Sequence, residues 1–325
     1  MITQPGMNAS RVELLTQIAG LYFEENITQD EIARRTGYSR SMISRLLTEA
    51  REEGVVEIRV KHPLRRNEDA ERQLAELFHL SAVRVLARGT MDDAIMLRRL
   101  GSLAASYLET IVHSEMSIGV SWGTALWETT NAVRPNTYAD IRVVGLIGAL
   151  GTTDAEIDGP EIARRLARAF GGRYHILPAP LIVDNASTQQ ILMRDPRIQA
   201  ALDMAHQVDV ALVGIGTTDA AHSSLVRAGY ISEQEILELH QSGIVGDVCA
   251  IHLDSEGRIA DIPLNDRVIG IRPDDLRKIP VRIGVAGGAA KATAVLAACR
   301  SGLINVLITD EVAAQVALQR SLEQA

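Results

Sequence analysis

Apolar residues in the first fifty positions recur at helical spacing. Val12, Leu15, Ile18, Ala19 and Tyr22 share one face of a helix predicted over 11–24. A second helix is predicted over about 29–35, with Thr28 as its cap, Glu31 completing a capping box, and Ile32 and Ala33 turned inward. Gly37 stands where the turn needs a left-handed backbone. Ser39 then caps a third helix that runs to about Glu52. Its apolar stripe is Met42, Ile43, Leu46, Leu47 and Ala50, and its opposite face carries Arg40, Ser41, Ser44, Arg45, Thr48 and Arg51. Helix, glycine turn and helix in this spacing, with a buried stripe behind short polar and basic side chains, form a helix-turn-helix suited to a DNA groove. Ser39, Arg40, Ser41, Ser44 and Arg45 are the expected DNA contacts.

After Gly54 the run VVEIRVKHP reads as a short strand or wing, with Glu57 and Arg59 outward, and Pro63 ends it. Arg59 or Lys61 could reach phosphate from such a wing, or the strand could only seat the hairpin. Leu64–Leu80 is charged at its front and carries Leu74, Leu77 and Phe78 behind; it is a linking helix that starts a second domain or pairs with a partner chain. The expected domains are therefore residues 1–63 and 64–325.

From Ser81 onward, strands alternate with helices. Strands are predicted at 82–87, 116–121, 141–147, 174–177, 208–215, 244–253, 268–271, 281–286 and 305–308. Helices are predicted at 91–112, 124–133, 160–170, 186–193, 196–206, 232–241, 289–300 and 310–319. Apolar strands alternating with helices predict an α/β domain with a mostly parallel sheet covered on both faces.

Composition adds bounds to this picture. Aromatic residues make up only 3% of the 325 residues, so the cores must rest on Ala, Leu, Ile and Val. The net charge of −8 excludes a protein that coats nucleic acid along its length, but not a small reading head on an acidic body. In that head, Arg34, Arg35, Arg40, Arg45 and Arg51 are balanced by Asp30, Glu31, Glu49, Glu52 and Glu53. One such head binds weakly, so a homo-oligomer presenting several heads is expected. Cys249 and Cys299 sit in apolar surroundings without a Cys-x-x-Cys pattern and read as small buried hydrophobes. The start has no basic region followed by an apolar core, and no apolar run approaches the ~20 residues of a membrane span. A cytoplasmic protein is expected, with no cofactor, metal or catalytic group assigned.

Candidate chemistry gathers at the carboxyl ends of the strands, where parallel α/β sheets bind ligands. These ends are rich in small residues: Ser121-Trp122-Gly123-Thr124, Gly148 to Thr153, Gly216-Thr217-Thr218, Gly246-Asp247 and Gly287 to Lys291. Small residues let backbone N–H groups approach a ligand, and a following helix start favours an anion. Lys291 is one of three lysines, with Lys61 and Lys278. A cation in the first turn of a helix is mildly unfavourable unless an anionic ligand reverses the sign. Asp247 could accept hydrogen bonds from sugar hydroxyls or serve as a turn residue. A reversible imine between Lys291 and an aldehyde stays open as an alternative.

The runs LYFEENITQDEIARRTGYSRSMISRLLTEAREEGVVEIRV, IGVSWGTAL, VDVALVGIGT, GIVGDVCAIHLD, RVIGI, VAGGAAKATAV and GLINVLITDE together resemble the SorC family of sugar-responsive bacterial transcription regulators. The resemblance spans nearly the whole chain. It implies an N-terminal helix-turn-helix head of winged type. It also implies an effector domain similar in fold to ribose-5-phosphate isomerase and glucosamine-6-phosphate deaminase. Such regulators bind sugars or phosphosugars, assemble as dimers and tetramers, and bind double-stranded operator DNA. By motif, the effector site falls on Ser121, Trp122, Gly123, Thr124, Gly148, Gly216, Thr217, Asp247 and Lys291. The loop 148–159 adds Asp154, Glu156 and Asp158, which favour a neutral or singly charged sugar over a bisphosphate. The competing reading is a sugar-phosphate isomerase or deaminase carrying a DNA-binding head, with Asp247 as general base. No pattern nearby supplies its acid–base partner.

Overall fold

Two capped helices and the left-handed turn between them organise the first of two compact units, Met1–Pro63 and Leu64–Ala325. The computed structural model describes residues 9–56, 64–151 and 158–322. In the first unit, α1 (Ala9–Ala19) continues into a π-helical turn over Gly20–Glu24, which helical periodicity did not foretell. α2 (Gln29–Thr36) ends at Gly37, whose φ of 76° is left-handed, and α3 (Arg40–Glu52) follows. Leu15, Ile18, Ile32, Ile43, Leu46 and Ala50 are buried together as the core of this unit. An ion pair from Arg11 Nε to Glu49 Oε1 at 2.8 Å ties α1 to α3.

One expectation fails at the start of α2. Thr28 does cap it, accepting from the Glu31 N–H at 3.4 Å. The Glu31 carboxylate does not reach back to close the capping box; Arg34 and Arg35 hold it at 2.9 and 3.0 Å. Two guanidiniums one turn ahead on the same face outcompete a single backbone N–H. The predicted wing, with Glu57, Arg59, Lys61 and Pro63, lies outside the described residues.

The second unit begins with α4 (Glu68–Phe78), so the linking segment belongs to this domain. Its buried Glu71 accepts from the Val85 N–H at 2.9 Å and pairs with Arg66, which fixes α4 against β1 (Ala82–Leu86). Next come α5 (Asp93–Ile111), β2 (Ser117–Val120), α6 (Thr124–Ala132), β3 (Arg142–Gly145), α7 (Gly159–Ala169) and β4 (Arg173–His175). Then follow α8 (Ala186–Leu192), α9 (Pro196–Ala205), β5 (Val210–Gly214), α10 (Ser224–Arg227), α11 (Glu233–Gln241), β6 (Ile244–Val248) and β7 (Ile251–Asp254). The chain closes with α12 (Pro273–Lys278), β8 (Val281–Val285), α13 (Ala292–Ser301), β9 (Val306–Asp310) and α14 (Glu311–Leu322).

Seven strands form a parallel sheet in the order β1-β9-β8-β5-β2-β3-β4. Large apolar clusters cover both faces, as apolar strands between helices require. From β2 the chain builds β3 and β4 on one side, then returns to place β5, β8 and β9 on the other. The direction of winding therefore reverses between β2 and β5, which is where such sheets open a crevice at their carboxyl ends.

The strand predicted over 244–253 is instead an antiparallel hairpin, β6 with β7, outside the main sheet. Its turn is Cys249-Ala250, both left-handed at φ 54° and 59°. A turn of this kind usually announces itself by Asn-Gly or Gly-Gly. Here Asp247 Oδ2 accepts from the Ala250 N–H at 3.0 Å and holds two residues that give no such signal. The strand predicted over 268–271 reduces to isolated bridges, Ile147 with Gly270 and Ile182 with Val268. The helix predicted from 289 starts as a 3-10 turn over Ala289–Lys291 before α13.

Candidate functional site

At the reversal between β2 and β5 lies a cavity walled by Trp122–Ala125 after β2, Gly214–Thr217 after β5, Asp247 on β6, Val285 at the end of β8, and Lys291. Ser223, Ser224 and Leu225 close it from α10. Thus Trp122, Gly123, Thr124, Gly216, Thr217, Asp247 and Lys291 come together from distant parts of the sequence. α6 opens here at Gly123 with no capping side chain, which leaves helix-start N–H groups for a ligand to satisfy.

Ser121 and Gly148 sit differently. Ser121 is buried, and its Oγ accepts from the Gly214 N–H at 3.1 Å, so it braces the wall instead of lining it. Gly148 is not among the lining residues. A Cβ there would stand 2.3 Å from the Pro180 carbonyl oxygen, so this glycine is needed for close backbone packing. Asp154 and Glu156 lie outside the described residues, and Asp158 is occupied as an acceptor of the Leu150 N–H at 2.8 Å.

Asp247 is buried and fixed at both ends: its backbone carbonyl accepts from the Gly216 N–H at 2.8 Å, and its Oδ2 holds the hairpin turn. Gly216 makes this approach possible, since a Cβ there would lie 1.8 Å from Asp247 Oδ1. Thr217 donates its hydroxyl to the Ala290 carbonyl at 2.9 Å and so joins the β5 loop to the turn that carries Lys291.

The half-buried Lys291 donates from Nζ to the Ile215 carbonyl at 2.7 Å and forms no ion pair among the described residues. Burial lowers its pKa below the ordinary lysine value; Asp247 opposes that shift and Arg227 adds to it. A second cation near Lys291 is a feature the sequence reading missed, because α10 is a single turn without a periodic pattern. Burial and the nearby Asp247 push the Cys249 thiol up, so the cysteine of the hairpin turn is inert. Asp247 and Lys291 are the only charged side chains lining the cavity among the described residues.

In the first unit, Ser39, Arg40, Ser41, Ser44 and Arg45 are all exposed at the start of α3. Ser39 Oγ is partly committed as the cap, accepting from the Met42 N–H at 3.2 Å. Arg40 lies 3.5 Å from Asp30 in an exposed pair, and Arg45 donates to the Met42 sulfur at 3.7 Å. Both arginines are therefore available to a partner at little cost.

Comparison with known proteins agrees with this layout. A family model described as "Putative sugar-binding domain" matches residues 62–319. The chain is 32% identical over 305 residues to the deoxyribonucleoside regulator of Bacillus subtilis (strain 168), covering 94% of this chain and 97% of that protein. It is also 32% identical over 320 residues to the transcriptional regulator LsrR of Enterobacter sp. (strain 638), covering 96% and 95%. Among solved structures, the full-length sorbitol operon regulator SorC from Klebsiella pneumoniae superposes with a TM-score of 0.70 at 27% identity, covering 95% of this chain and 100% of that one.

Proposed function

This chain belongs to the SorC family of sugar-binding transcriptional regulators, a regulator and not an enzyme, and from that premise we propose how it works. The helix-turn-helix of residues 1–63 reads double-stranded operator DNA through Ser39, Arg40, Ser41, Ser44 and Arg45. The cavity at the β2–β5 reversal takes a sugar phosphate, and its occupancy sets operator affinity. The protein acts in the cytoplasm as a homo-oligomer, because a charge-balanced head gains affinity by being linked to others.

The observation that carries the effector reading is the Lys291 ammonium: half-buried, without an ion pair among the described residues, and beside an uncapped helix start. A phosphate would neutralise the Lys291 cation, while Asp247 and Thr217 would receive sugar hydroxyls.

The test has two steps. Duplexes retained by the full chain are selected from a random pool, and their affinity is then measured by anisotropy with and without each of a panel of pentose and hexose phosphates. Coupling of about 1–3 kcal/mol is expected, a roughly 5–150-fold change in operator affinity. Failure to select any sequence would sink the DNA reading. A selected operator whose affinity no sugar phosphate changes would sink the effector reading.

A further inference from the structure

In the turn that carries Lys291, the Gly288 carbonyl accepts from the Lys291 N–H at 3.1 Å, and the Gly288 N–H donates to Asp310 Oδ1 at 2.9 Å. Asp310, the last residue of β9, is fully buried. Its Oδ1 also accepts from the Ala313 N–H at 3.1 Å, at the start of α14, and its Oδ2 pairs with the Arg88 guanidinium at 3.2 Å. Capping α14 needs only one of these three donors. The next residue, Glu311, holds the other end of Arg88, its Oε2 accepting from the Arg88 backbone N–H at 3.3 Å. Glu311 Oε1 accepts from Asn67 Nδ2 at 2.8 Å, and Asn67 Oδ1 caps α4 by accepting from the Ala70 N–H at 3.0 Å. A continuous row of hydrogen bonds thus runs from the effector turn to the start of α4.

The far end of this row has a particular place in the chain. The covalent link from the first unit enters the second at Leu64. Residues 65–67 then lie along the end of β1: the Arg65 carbonyl accepts from the Ala87 N–H at 2.9 Å, and the Asn67 N–H donates to the Val85 carbonyl at 2.9 Å. Asn67 therefore fixes both this entry segment and the helix that follows. Each carboxylate oxygen of Asp310 and Glu311 already holds a donor. A donor that moves away from a buried acceptor leaves it unpaired at a cost, so these groups move together.

We propose that this row carries occupancy of the effector cavity to the entry segment of the second unit, with Asp310 and Glu311 as positioning residues. An anion that takes Lys291 Nζ from the Ile215 carbonyl pulls on the turn at Gly288, and Asp310, Arg88 and Glu311 pass the shift to Asn67. The proposal rests on the effector reading above and names its route.

An exchange of donor and acceptor at the far end tests it in the full chain. Asn67→Asp keeps a cap for α4 but sets a carboxylate against Glu311. Glu311→Gln sets an amide N–H₂ against that of Asn67. In the double exchange the new amide donates to the new carboxylate and still accepts from Arg88, so the row closes again. Anisotropy of the selected operator is read with and without the pentose or hexose phosphate that changes wild-type affinity most. Each single variant should lower that ratio roughly 2–30-fold, towards one, and the double exchange should return it to within about twofold of wild type. Calorimetry on the free chain should give sugar-phosphate affinities within about twofold of wild type for all three. Melting reports whether each fold is intact; Asn67→Ser, which can cap α4 without charge and is too short for Glu311, makes the same cut if the paired carboxylates unfold the chain. A wild type whose operator affinity no sugar phosphate changes would remove the effector reading and this route with it. A responsive wild type whose ratio the single variants leave unchanged, a double exchange that does not restore it, or a loss of response matched by an equal loss of sugar-phosphate affinity would overturn the route alone.

Discussion

Lys291→Met removes the one lysine ammonium of the effector cavity and keeps most of the side chain's volume. Among the described residues that ammonium has a single polar partner, the Ile215 carbonyl at 2.7 Å. At about 4 Å from a phosphate charge, with an effective dielectric near 20, the bare attraction is about 4 kcal/mol. Removing the lysine's remaining water on binding offsets part of this, and a charge-assisted hydrogen bond nets about 1.5–3 kcal/mol. A loss of about 2–3 kcal/mol, or roughly 30–150-fold in affinity, is therefore expected for a phosphorylated ligand. The corresponding unphosphorylated sugar should bind the variant and the wild type alike. Without ligand the two opposing changes nearly cancel: a burial-penalised charge is removed, and one carbonyl loses its donor.

The pH dependence carries a sign of its own. Burial sets the Lys291 pKa below the ordinary lysine value, so the ammonium is present below that lowered pKa. Affinity for a phosphate should be full there and should fall as pH rises through it, earlier than for an exposed lysine. Between the lowered pKa and the ordinary value the unfolded chain binds more protons than the folded one, so unliganded stability should rise with pH relative to Lys291→Met. Titration calorimetry at several pH values, on whichever sugar phosphate gives the largest thermal shift, reads the affinity arm. Equal affinity of wild type and Lys291→Met for that ligand, or no alkaline fall in the wild type, would refute the anion role.

Three further outcomes follow from particular contacts. Arg40→Ala should cost roughly 1–3 kcal/mol of operator affinity if its guanidinium reads a guanine edge, and should leave sugar-phosphate binding unchanged; anisotropy and calorimetry on the same preparation separate the two. Gly216→Ala would put a methyl group 1.8 Å from Asp247 Oδ1, so Asp247 must swing away and release the Ala250 N–H; a loss of roughly 1–3 kcal/mol in stability is expected in denaturant melts, with effector binding lost as well. Ser232→Ala dismantles the reciprocal cap of α11, in which Ser232 Oγ accepts from the Glu235 N–H at 3.2 Å, and should cost about 1 kcal/mol without touching either binding activity.

The sequence by itself determined the helix-turn-helix and the alternation of buried strands and helices, because both are written in local periodicity. Ile43, Leu46, Leu47 and Ala50 had to share one face of α3, and Arg40, Ser41, Ser44 and Arg45 the other, whatever else the chain does. Small residues at several strand ends marked a candidate ligand edge for the same local reason. Only the tertiary structure decided which of those ends meet. Strand order is set by long-range packing, and the reversal between β2 and β5 brings Gly123, Gly216, Asp247 and Lys291 to one cavity while leaving Gly148 in the packing against Pro180. The hairpin turn at Cys249-Ala250 was equally hidden, since a buried carboxylate, not a turn-forming side chain, holds it left-handed. Local pattern fixes what a segment can become; the contacts of residues far apart in the chain fix what it faces.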